Sequence, residues 1–139
     1  MTIVHERSIA APPEVVWACF TDPREIVRWL AASATVEPVP GGAITWTHED
    51  GRTVAGQIVE LVPSRRIVFT YGWTDGWLGV AAGSSTVTVE LRPEADGTRL
   101  RLRHDGLEGD AADRHHDGWA MFLDRLAAVA PTIDEEDRS

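Results

Sequence analysis

Between residues 110 and 130 apolar side chains recur at helical spacing, and no other stretch of the chain sustains that period as long. His115, Trp119, Phe122, Leu123 and Leu126 stand at offsets of 0, 4, 7, 8 and 11. That spacing places them on one stripe of a helix and turns Asp117 and Asp124 away from it. From residue 33 to 105 the period falls to two, the signature of strands. Candidate strands cover 33–39, closed by Pro40-Gly41-Gly42; 43–49, closed by Asp50-Gly51; and 52–62, closed by Pro63-Ser64. A strand over 65–73 carries Ile67, Phe69, Tyr71 and Trp73 on one face, and a last hairpin joins 84–92 to 98–105 through Asp96-Gly97.

Residues 2–10 read as a first strand. Pro12 and Pro13 then open a helix, at positions whose missing N–H removes no helical bond, and Val15, Val16, Cys19 and Phe20 supply its apolar face. A second short helix starts at Asp22, an N-cap followed by Pro23 and by Glu25 three residues on, with Ile26, Trp29 and Leu30 on its buried side. The expected fold class is α+β: seven strands, two short helices after the first, and a long helix after the last. A long helix lying on a curved antiparallel sheet encloses a cavity, and cavities are where small ligands bind.

Length adds that 139 residues suit one domain, and composition that 43% apolar with 25% charged is ordinary for a globular chain. No apolar run is long enough to cross a bilayer and no leader pattern is visible, so a cytoplasmic protein without a membrane partner is expected. The single cysteine, Cys19, is expected to be a buried structural thiol. A net charge of −9 repels phosphate backbones, so no nucleic-acid partner is expected. Arg99, Arg101 and Arg103 alternate with Leu100, Leu102 and His104, which reads as a solvated strand face paired to carboxylates such as Glu90. Asp134, Glu135, Glu136 and Asp137 mark 132–139 as an acidic, disordered tail behind a domain spanning 1–131.

The run APPEVVWACFTDPREIVRWL, the paired glycines before a strand, RRIVFTYGW, TVTVELRPEADGTRLRLRHDGL and the closing HHDGWAMFLDRLAAV resemble the START-like helix-grip superfamily. Within it they are similar to the branch named for the activator of the heat-shock-protein ATPase, over about residues 2–130. The resemblance implies a seven-stranded antiparallel sheet wrapped around a long C-terminal helix, with a cavity between them. Superfamily members include lipid carriers, polyketide aromatases and cyclases, and fold does not choose among such roles.

Strand parity and helical stripe name the candidate ligand-binding residues: Trp46, Phe69, Tyr71, Trp73, His115, Trp119, Phe122 and Leu123. Six tryptophans are many for this length; Trp17 and Trp29 read as core, whereas Trp46, Trp73 and Trp119 read as core or pocket wall. Residues 74–83 hold three glycines and expose Trp77 and Leu78, a gate over the cavity or a contact for a homodimer. His115 and His116 diverge by about 100° on a helix, which argues against a shared metal ion. His115 is instead a candidate proton donor or acceptor, His48, Glu49 and Asp50 read as a solvated hairpin tip, and His5 and Arg7 share parity with Ile3 and Ile9. No catalytic triad, phosphate loop or carboxylate pair is found, so no cofactor is expected. Three functions follow. One is a carrier or sensor of a small hydrophobic or aromatic ligand. Another is an enzyme of the polyketide cyclase, aromatase or hydrolase type, for which His115, Tyr71 or His5 would have to converge in the pocket. The third is a co-chaperone-like interaction module.

Overall fold

The computed structural model describes residues 2–133. Strand β1 (Thr2–Ile9) is followed by helices α1 (Pro13–Thr21) and α2 (Pro23–Ile26). Six further strands follow: β2 (Ser33–Val36), β3 (Ala43–Thr47), β4 (Thr53–Val62), β5 (Arg66–Tyr71), β6 (Ser85–Glu94) and β7 (Gly97–Asp105). The long helix α3 (Gly109–Val129) ends in a single 3-10 turn at Ala130–Thr132. The fold is the predicted α+β helix grip. The acidic residues expected to form a tail, Asp134 to Asp137, lie outside the described residues.

The seven strands form one antiparallel sheet in the order β1-β7-β6-β5-β4-β3-β2. Consecutive strands pair as hairpins from β2 to β7, and β1 closes on β7, with Thr2 opposite Asp105 and Ile9 opposite Thr98. Strands β1, β6 and β7 bury alternate residues, as the period of two demands: Ile3, His5 and Ile9 from β1, Val87, Val89 and Leu91 from β6, Leu100, Leu102 and His104 from β7. The opposite face is polar. There Arg101 and Arg66 both reach Glu90 and Arg99 reaches Glu6, the predicted solvated ladder, whose exposed pairs contribute little stability.

Asp22 caps α2 by accepting a hydrogen bond from the Arg24 backbone N–H at 2.9 Å, and Pro23 takes the first helical position. The chain can thus turn sharply between α1 and α2 and lay Val15, Val16, Cys19, Phe20, Ile26 and Trp29 into the core. Trp29 packs edge-on against Phe20 and donates its indole N–H to the Cys19 carbonyl at 2.9 Å. Cys19 is fully buried and forms no disulfide. Helix α3 crosses the concave face of the sheet with Ala111, Ala112, His115, Trp119, Leu123 and Leu126 inward, the predicted stripe extended by one turn at its start. No helix among the described residues is long and apolar enough to cross a membrane.

The inward parity of His5 and Arg7 is resolved at the β1–α3 seam. His5 is buried and its Nε2 lies 3.0 Å from the His116 carbonyl, while Arg7 donates to Asp124 at 3.0 Å. Neither side chain lines the cavity. An arginine sharing the inward face of a strand finds a carboxylate on the helix that covers it, which removes the need for an anionic ligand.

Candidate functional site

Between α3 and the sheet lies a cavity of about 510 Å³. Its walls come from four places: Arg114, His115, Gly118, Trp119, Phe122 and Arg125 on α3; Trp46 and His48 at the end of β3; Tyr71 and Trp73 at the end of β5; and Val27 to Ala31 after α2. Trp77 closes one side, and half-exposed Met121 stands at the mouth. Of the eight residues predicted to meet a ligand, six line this space. Phe69 and Leu123 do not; both are buried within the core beneath it. Parity chose their face correctly but says nothing of depth.

Gly118 shapes the opening. A β-carbon there would meet no other atom, so the cavity extends to the helix backbone. Glycine inside a helix costs about 1 kcal/mol relative to alanine, and here the missing side chain leaves space in the wall.

Three indoles each donate their N–H to an imidazole. Trp73 donates to His115 Nε2 at 3.0 Å, Trp119 to His104 Nδ1 at 3.0 Å, and Trp46 to His48 Nε2 at 3.1 Å. Because an indole nitrogen only donates, each accepting ring nitrogen is unprotonated. The second nitrogens of His115 and His104 are committed too. His115 Nδ1 donates to the Ala111 carbonyl at 2.7 Å. His104 Nε2 donates to Ser85 Oγ at 2.9 Å, and Ser85 Oγ donates in turn to the Tyr71 carbonyl at 2.8 Å. Burial lowers the pKa of all three imidazoles, with that of His104, which is fully inaccessible, lowered to about 3 and His115 nearby adding to the effect. At neutral pH the three rings are uncharged and their tautomers fixed.

These pairs overturn two expectations. His48 is not at a solvated tip: its ring packs 5.4 Å from Trp73 and 5.5 Å from Phe122, while Glu49 and Asp50 beside it are exposed as expected. His115 converges with Tyr71, their ring centroids 5.5 Å apart, but has no nitrogen left to exchange a proton with a substrate. His104 escaped the sequence reading as a site residue. Its parity with Leu100 and Leu102 marked it as inward, and a buried histidine must find partners, which is the signal that could have found it.

Tyr71 sits at the centre of this ring system. Its ring lies 4.5 Å from His104, 5.8 Å from Trp46, 6.1 Å from Trp73 and 6.2 Å from Trp119. The residue is 4% exposed, and burial pushes its pKa far up, so the phenol stays protonated.

The loop after β5 is folded back on itself. Trp73 N–H bonds the Val80 carbonyl at 2.8 Å and Gly79 N–H the Gly76 carbonyl at 2.9 Å. Trp77 and Leu78 are half-buried, and Trp77 stands edge-on to Trp73 at 4.9 Å with the Arg52 guanidinium 4.3 Å from its ring centre. Leu78 takes φ 58, a left-handed conformation unfavourable for a side chain. Among the described residues no group of His, Cys, Asp and Glu is arranged to hold a metal ion.

Residues 10–130 match the family described as Activator of Hsp90 ATPase homolog 1-like protein. The chain belongs to this family. No curated protein matches it in sequence. Among solved structures, protein MLL2253 from Mesorhizobium loti superposes with a TM-score of 0.83 at 26% identity, covering 96% of this chain and 99% of that one. DynU16, described as a putative protein in the dynemicin biosynthetic locus, gives 0.78 at 25% identity over 91% of this chain but only 46% of its own. The Aha1 dimer from Colwellia psychrerythraea gives 0.80 at 19% identity over 94% and 96%, which speaks to fold alone. The Hsp90 activator-like fold, the grip of sheet on helix, is thus common to proteins of different description.

Proposed function

We propose that this Hsp90 activator-like protein is a carrier or sensor that holds a small, flat, hydrophobic or aromatic molecule in the cavity beneath α3. The observation that carries the reading is the set of indole–imidazole pairs. They keep the inner, aromatic part of the wall uncharged while using up both ring nitrogens of His115 and His104, which acid–base chemistry would need. A cavity of about 510 Å³ is of the size that takes drug-like molecules, and aromatic walls favour flat ones. Trp77, packed on Trp73 beside the opening, is the gate, and strained Leu78 next to it is where the loop would hinge. A homodimer is a separate proposal, motivated by the dimer described for the Colwellia protein, and light scattering at rising concentration tests it.

Native mass spectrometry of freshly purified protein tests the binding reading, together with titration of the hydrophobic dye 8-anilinonaphthalene-1-sulfonate. We expect a co-purifying small molecule or saturable one-to-one dye binding that quenches the tryptophans. A bare protein mass with no dye binding would overturn it.

A further inference from the structure

The Tyr71 hydroxyl makes no hydrogen bond to any described residue, although the residue is 4% exposed and lines the cavity. Nor is its oxygen sealed inside the protein, so its accessible side faces the cavity. Such a group needs an acceptor, because a buried polar hydrogen left unpaired is costly. The surrounding rings offer none: the bare nitrogens of His104, His115 and His48 already accept from tryptophans. The Trp77 indole, also in the wall, is half-exposed and can be solvated, as can the exposed guanidinium groups of Arg114 and Arg125.

We propose that Tyr71 is the specificity-determining residue of the cavity, donating its hydroxyl hydrogen to a neutral acceptor, a carbonyl or ether oxygen, on the buried end of a flat ligand. This inference rests on the ligand-binding reading above and adds to it the chemical class of the ligand. A ligand carboxylate is disfavoured at this depth, because no cation stands among the rings that surround Tyr71 and all three imidazoles are neutral. A purely hydrocarbon ligand would leave the phenol hydrogen unpaired, and the cavity discriminates against it on that ground.

The test compares fluorenone with fluorene, two tricyclic molecules that differ by one carbonyl, by quenching of intrinsic fluorescence in the wild type and in Tyr71→Phe. We expect the ratio of fluorenone to fluorene affinity to fall about tenfold in Tyr71→Phe, through weaker fluorenone binding together with fluorene binding no weaker than in the wild type. Far-UV circular dichroism confirms that the variant folds. Independently of any variant, the carbonyl stretch of fluorenone bound to the wild type should be shifted to lower frequency than in hydrocarbon solvent. An affinity ratio unchanged by Tyr71→Phe, or an unshifted stretch, overturns the role of Tyr71 and leaves the cavity reading standing. Failure of both molecules to bind overturns the cavity reading and this inference with it.

Discussion

Acidification should unfold this protein through His104. The ring is held neutral, its pKa lowered from 6.5 to about 3, chiefly by burial and further by His115, with Asp105 opposing. In the unfolded chain it returns to its ordinary value. Between those two pH values the unfolded state binds more protons, so stability is complete above pH 6.5 and falls as pH drops toward 3. The full span corresponds to about 5 kcal/mol and the part reached by pH 4 to about 3 kcal/mol, a large share of the 5 to 15 kcal/mol typical of a domain. The cause is local: a proton on Nδ1 would face the Trp119 N–H that it now accepts from at 3.0 Å. Urea unfolding followed by circular dichroism from pH 8 to pH 4 measures the loss. His104→Gln can still accept from Trp119 and donate to Ser85 but does not titrate. Its stability should fall between pH 7 and 4 by about 3 kcal/mol less than that of the wild type. Parallel pH curves for the two proteins would refute the reasoning, since His48, His115 and the carboxylates titrate in both.

Trp119→Ala should cost about 3 to 5 kcal/mol in chemical denaturation, because it opens a core cavity and strips His104 of its donor; a loss near zero would contradict that burial. Gly118→Ala should raise stability by up to about 1 kcal/mol, read as a higher melting temperature, because its methyl enters open space and the helix gains a better former. Gly72→Ala should destabilise the protein and loosen the loop over 74–83, since its β-carbon would collide with the Ala81 carbonyl; faster amide exchange at Trp73 and Val80 is the check. In the wild type, 8-anilinonaphthalene-1-sulfonate bound in the cavity should slow exchange at Trp77, and an unchanged rate would remove Trp77 as the gate.

The long helix was legible because five residues on one stripe fix both its existence and its phase, and α2 because Asp22 and Pro23 announce its start. Strand ends were less so. The strand expected over 33–39 stops at Val36, and Pro38 has no N–H to give to a ladder. His48 was misplaced although it shares parity with Trp46, because a residue just past a strand is read as turn when its neighbours are Glu49, Asp50 and Gly51. The indole–imidazole pairs were beyond reach in kind. Trp73 and His115 are 42 residues apart, one just past the end of β5 and the other on α3, and only the crossing of these elements decides which ring nitrogen meets which indole.

The sheet order that pairs Thr2 with Asp105 also fixes a sequence of events. On a ribosome β1 emerges before the other six strands of the sheet, and its partner β7 comes almost a hundred residues later. Until then Ile3 and Ile9 have nothing to cover them, whereas β2 to β7 can zip hairpin by hairpin at low loop-closure entropy. Pulse-labelled exchange during refolding should find β1 amides protected after those of β5 and β6. A strand made well before its partner is thus the last to be seated, and any holdase guarding the nascent protein has β1 to guard longest.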